Sequence, residues 1–121
     1  MADKFSITKR LKSFSYAFSG LVTLVAEQHN IRIHLMATIV IISLGFYVNL
    51  TRVDWAILSL TISIVWMSEA LNSAVEYLAD AAIPEQHPII KKSKDVAAAG
   101  VLITACCALV VGLLIFFPHI I

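Results

Sequence analysis

Charge is scarce in this chain: only 14% of its 121 residues are Asp, Glu, Lys or Arg, while 60% are hydrophobic. A water-soluble domain of this length needs far more polar surface, so the composition excludes an ordinary globular fold and points to a membrane protein. The few charges nearly cancel, leaving a formal net charge of +1 and no polybasic tract, so no nucleic-acid partner is expected. Cysteine is confined to the adjacent pair Cys106 and Cys107 in an apolar run. Neighbouring cysteines rarely bridge and two thiols make no metal-ligand set, so both are expected to be small apolar core residues. Glycine is sparse and scattered, at positions 20, 45, 100 and 112. Neither G-x-x-x-x-G-K-[ST] nor a G-x-G loop occurs, so any nucleotide site must be built without a glycine-rich cradle. The opening residues, MADKFSITKRLKSF, are polar and basic and lead into no apolar core with a cleavage site. Insertion is therefore expected to use the membrane-spanning segments themselves.

What the chain does have is helical periodicity. In residues 5–26, Ile7, Leu11, Phe14, Phe18, Leu21 and Val25 fall on one face, and Lys9, Lys12, Ser13, Tyr16 and Gly20 on the other. That pattern predicts an amphipathic helix lying in a membrane interface. Residues 33–50 form a first span of roughly 27 Å, close to the hydrocarbon thickness. Residues 55–83 and 96–117 form the second and third spans, joined by a polar loop over 84–95 that holds two prolines and three lysines. The predicted fold is an all-α membrane protein: one domain over residues 1–121, an interfacial helix and three transmembrane helices, with no internal repeat. Lys4, Lys9, Arg10, Lys12 and Arg32 lie before the first span and Lys91, Lys92 and Lys94 before the third, against Arg52 alone between the first two. Positive-inside logic puts the N-terminus and the 84–95 loop in the cytoplasm and the C-terminus outside. Arg32 is expected to anchor the first span by snorkelling, and Trp55 and Trp66 to serve as interface anchor and packing aromatic. His34 and His119 read as interfacial or packing residues, and Ser68 and Ser73 as satisfying helix carbonyls. Gly100 and Gly112 suit close helix contact, a sign of oligomerisation.

The second span carries the chemistry. Glu69, Asn72, Glu76 and Asp80 share an arc of about 80° on one helix face. The stripe is expected to run from mid-membrane depth to the cytoplasmic end. A charged residue at mid-helix costs roughly 2.5–3.5 kcal/mol, which a cation, a partner helix or protonation must offset. Lys94 and Asp95 follow at the start of the third span, where a lysine can bind phosphate as a point charge. Carboxylates for Mg²⁺, a base for an acceptor hydroxyl and a lysine for phosphate form a set suited to phosphoryl transfer. By spacing alone, a proton or ion relay, or a polar stripe that only glues helices, fits the same residues.

The stretch Glu69-Ala70-Leu71-Asn72-Ser73-Ala74-Val75-Glu76, then Asp80, then Lys94-Asp95-Val96-Ala97-Ala98-Ala99, resembles the small bacterial integral-membrane lipid kinases, a family that includes diacylglycerol kinase and undecaprenol kinase. The likeness spans nearly the whole chain. Asn30-Ile31-Arg32-Ile33-His34, Asp54-Trp55, His87-Pro88 and Phe116-Phe117-Pro118 look like the Gram-positive undecaprenol kinase branch. The resemblance implies ATP- and Mg²⁺-dependent phosphorylation of a membrane lipid alcohol, most simply undecaprenol, with diacylglycerol as the alternative. It implies a multi-pass protein of the bacterial plasma membrane and a homotrimer with sites between protomers. Glu69 would be the general base and Asn72 would orient the reacting groups. Glu76 would ligate Mg²⁺ at the nucleotide. Lys9, Tyr16, Glu85, Gln86, His87, Lys94 and Asp95 would contact the nucleotide, and Lys12 and Ala98, with Glu69, the lipid.

Two positions depart from the family pattern. A second metal-binding glutamate is expected two residues before Asn30, where this chain has Gln28, with the acid one residue earlier at Glu27. Either Glu27 substitutes, on the face it shares with Lys9, Tyr16 and Gly20, or a neutral amide weakens the metal site. Lys9 stands where arginine is common, keeping the charge and losing the bidentate fork.

Overall fold

A computed structural model describes residues 4–121. It contains four helices in chain order: α1 (Ile7–Glu27), α2 (His29–Val48), α3 (Arg52–Ala82) and α4 (Pro88–Ile120). The last three are long and apolar enough to cross a membrane. The all-helical architecture expected from the periodicity is therefore present, with boundaries set by capping chemistry.

Ser6 caps α1 by accepting from the Lys9 backbone N–H. α1 and α2 are separated by one extended residue, Gln28, at φ −103° and ψ 113°. The break holds because Arg32 folds back: its Nε donates to Val25 O at 2.9 Å and its Nη2 to Ala26 O at 2.6 Å. These are carbonyls that a helix end otherwise leaves unsatisfied. Arg32 thus caps the C-terminus of α1 rather than simply snorkelling.

α2 ends at Asn49, whose left-handed φ of 59° suits an asparagine C-cap. Here the chain turns tightly. A Cβ on Gly45 would stand 2.7 Å from the Trp55 ring, which also packs at 4.8 Å centroid distance from Phe46. Trp55 therefore locks the α2–α3 corner. α3 opens on a capping box: the Asp54 N–H donates to Thr51 Oγ1 at 3.1 Å and the Thr51 N–H to Asp54 Oδ2 at 3.4 Å. The helix consequently starts at Arg52, not at 55. α4 starts at Pro88 rather than at 96, because His87 Nδ1 accepts from the Ile89 N–H and Pro88 fills the first turn without needing a donor. Only 83–87 remain as a loop, and Lys91, Lys92 and Lys94 are helical.

α3 and α4 form an antiparallel pair, closed at the end remote from that loop by Leu50, Leu58, Ile115 and Phe116. The other buried residues, among them Leu24, Ile31, Val65 and Ala79, are scattered along the helices. The accessible surface is 9297 Å², against about 6,450 Å² for a compact soluble monomer of this mass. Cys106 and Cys107 are exposed, not in a core, since only one side of α4 meets α3. A Cβ added at Gly100 or Gly112 would meet nothing within 4 Å in the single chain. At 31 and 33 residues, α3 and α4 reach roughly 46–50 Å, well beyond the ~30 Å hydrocarbon layer. Their charged ends project past it.

Candidate active site at the charged end of the helices

Glu69 is the most enclosed charged residue described, 2% exposed. Its Oε1 lies 2.9 Å from His34 Nε2 on α2. A carboxylate only accepts, so the imidazole donates. A second link runs parallel: Trp66 Nε1 donates to Thr38 Oγ1 at 3.0 Å, and Thr38 Oγ1 donates to His34 O at 2.6 Å. Trp66 and Glu69, three apart on α3, thus grip Thr38 and His34, four apart on α2, in accord with the spacing of residues on one helix face. His34 is the second residue of α2's apolar run. Glu69 therefore lies level with the charged edge of that run.

One turn on, Asn72 Nδ2 donates to Glu76 Oε1 at 3.5 Å, and Asn72 Oδ1 is buried with no protein hydrogen-bond partner. A buried carbonyl oxygen left orphaned beside a carboxylate is unusual, because the lost hydrogen bond costs about 1–3 kcal/mol. Asn72 also borders an apolar groove of ≈ 670 Å³ between α3 and α4, with Lys92 and Ser93 on its rim. Ser68 reaches across this contact to Gly100 O at 3.5 Å rather than to its own helix.

The positions flanking the α1–α2 break meet α3 through Tyr77. Its hydroxyl donates to Glu27 Oε1 and accepts from Gln28 Nε2, both at 3.0 Å. Beyond, the α3–α4 loop encloses a recess of ≈ 680 Å³ lined by Asp80, Glu85, Gln86, His87, Lys94 and Asp95 among others. Lys94 pairs with Asp80 and Lys91 with Asp95, each at 2.6 Å. Tyr16 borders a third groove, between α1 and α3, that also touches Ser73 and Tyr77. Lys12 and Ala98 are exposed on α1 and α4.

The structure thus joins Asn72 to Glu76 and gathers five sequence-predicted residues (Glu85, Gln86, His87, Lys94 and Asp95) around one recess. Among the described residues, no three His, Cys, Asp or Glu side chains group as a metal cage. His34 and Tyr77 are the residues that sequence reading passed over as polar partners. For Tyr77 the only signal was its place next to Glu76. For His34 it was the spacing of four from Asn30.

The description "prokaryotic diacylglycerol kinase" belongs to the family matched over residues 15–116. Undecaprenol kinase of Bacillus subtilis is 32% identical, over 94% of this chain and 93% of its own. A diacylglycerol kinase of Synechocystis is 35% identical over 89% of this chain, which spans 62% of that protein. A diacylglycerol kinase of Haemophilus influenzae is 28% identical, over 92% of this chain and 95% of its own.

Proposed function

This chain belongs to the prokaryotic diacylglycerol kinase family, and from that membership we propose that it phosphorylates undecaprenol, a C55 polyprenol, at the cytoplasmic face of a bacterial plasma membrane. It is a membrane lipid kinase with ATP as phosphoryl donor. Diacylglycerol is the second reading of the acceptor, favoured by the names of the Synechocystis and Haemophilus relatives. Both lipids present a primary hydroxyl on apolar chains.

One observation carries most of the mechanism: a buried Glu69 carboxylate, bonded to His34, at the edge of the apolar zone. A lipid alcohol holds its hydroxyl at that depth, and ATP reaches it from water. Glu69 takes the hydroxyl proton as general base. The lipid oxygen bonds to the γ-phosphorus, the bond to the β,γ-bridging oxygen breaks, and ADP leaves with that electron pair. Asn72 orients the reacting groups. Lys94 and Asp95, with Glu85, Gln86 and His87, contact the nucleotide in the loop recess, and Lys9 and Tyr16 approach it from α1. The Lys94–Asp80 pair is largely exposed on its acidic side. Such pairs are worth about 0–1 kcal/mol, so an incoming phosphate recruits Lys94 at little cost. Lys12 and Ala98 border the lipid.

The donors suit Mg²⁺. Glu76, the orphaned Asn72 Oδ1 and Glu27 are all hard oxygen ligands, and Mg²⁺ commonly takes one or two carboxylates and fills its shell with substrate phosphates. Glu27 supplies the carboxylate that Gln28 lacks. When bound, Mg²⁺ neutralises charge on the transferring phosphate. The assembly is a homotrimer with sites between protomers, a reading supported by the apolar area that one chain leaves uncovered.

The test presents purified protein in lipid, with Mg·ATP, with undecaprenol or diacylglycerol in separate reactions. Labelled phosphate is expected on undecaprenol first. Labelling of diacylglycerol alone moves the acceptor to the second reading, and labelling of neither ends the proposal. Glu69→Gln is expected to slow turnover by ~10²–10⁴-fold while ATP binding persists.

A further inference from the structure

We propose that His34 is a positioning residue for the phosphoryl transfer, holding the Glu69 carboxylate by donating from Nε2 to Oε1 so that Oε2 is aimed at the acceptor hydroxyl. The inference rests on the reading of Glu69 as base and extends it to a second helix.

A carboxylate on a helix rotates about three side-chain bonds, and a base that swings wastes encounters with its substrate. Glu69 is denied that freedom. It is 2% exposed, and His34, 2.9 Å away, is its recorded side-chain partner. The acceptor-only chemistry of the carboxylate requires a proton on His34 Nε2. His34 is itself held. The turn that carries it is tied through Thr38 to Trp66, one turn before Glu69 on the same helix. The four residues close a ring across α2 and α3. One oxygen of Glu69 is committed to the imidazole and the other remains to receive the proton. When that proton arrives on Oε2, the bond from His34 to Oε1 is retained, and the step is balanced with Glu69 as the proton acceptor.

A purely structural role makes a different prediction. Polar side chains that only join helices in a membrane contribute to stability and leave the chemical step alone. Three variants of the full-length protein in lipid separate the two: His34→Leu, His34→Gln and the double variant His34→Leu/Glu69→Gln. Steady-state kinetics against ATP and lipid are measured together with thermal unfolding. His34→Leu is expected to lower kcat by ~10²-fold with both KM values near those of the native protein. His34→Gln, which keeps an N–H donor at similar reach, is expected to recover most of that loss. The double variant is expected to be no slower than Glu69→Gln, because residues acting as one unit do not add. The inference is overturned if His34→Leu turns over normally per folded molecule, even with a lowered unfolding temperature. It is equally overturned if His34→Gln is as slow as His34→Leu. Glu69→Gln alone keeps the two claims apart. Should it retain turnover, the base assignment itself fails. Should it abolish turnover while His34→Leu does not, only the positioning role is lost.

Discussion

A charged side chain in an apolar helix is unfavourable by roughly 2.5–3.5 kcal/mol at the helix centre, and this chain handles each acid of its stripe differently. Glu69 is shielded and bonded to an imidazole, Glu76 stands beside Asn72, and Asp80 pairs with Lys94 outside the apolar zone. The orphaned Asn72 Oδ1 makes the second of these the least satisfied without a ligand. Glu76→Gln is accordingly expected to raise the Mg²⁺ concentration for half-maximal turnover by about tenfold or more and to weaken ATP binding, both read from titrations at fixed lipid. Glu69, Asn72, Glu76 and Asp80 were legible as one face because they recur with the helical period. His34 was not, since a lone histidine entering an apolar run has no period, and its partner lies 35 residues away. The link between Tyr77 and Glu27 was hidden for the same reason: it depends on how α1 and α2 meet, which no local pattern encodes.

Helix boundaries follow a different logic from membrane boundaries. Hydropathy marks where oil begins, while capping marks where the helix begins, and the two diverge at both ends of the α3–α4 pair. The first turns of α3 and α4 carry charged residues (Arg52 and Asp54; Lys91, Lys92, Lys94 and Asp95), so the hydropathy reading starts each span late, at 55 and 96. Thr51 and Asp54 start α3 at Arg52, and His87 with Pro88 starts α4 two turns before its apolar run. The extra turns matter to the site, because they carry Lys91, Lys94 and Asp95 on a helix facing the recess rather than on a loop. Thr51→Ala is expected to lower stability by ~1 kcal/mol through loss of the cap, measured as unfolding free energy in detergent, with kcat per folded molecule unchanged. Arg32 shows the converse case. Its charge fitted an anchoring role, and only its folding back onto Val25 and Ala26 reveals that it closes α1.

For the whole molecule, the decisive quantity is the surface left over. An exposed area of 9297 Å², against about 6,450 Å² for a soluble chain of equal mass, requires lipid, further copies or both to cover it. The sequence announced this through its 60% hydrophobic content, yet composition does not say which faces meet lipid and which meet another chain. Ligand linkage gives the global measurement. ATP with Mg²⁺ at a hundredfold excess over Kd is expected to raise the unfolding free energy by about 2.7 kcal/mol, a gain absent for Glu76→Gln at the same concentration. The depth of Glu69 has a last consequence. Because it stands beside His34 at the rim of the apolar run, a lipid phosphorylated there under the proposed mechanism would acquire its new negative charges close to the headgroups. Product escape is then a sideways drift in the plane of the leaflet. The tail never quits its solvent, and no anion is dragged through oil.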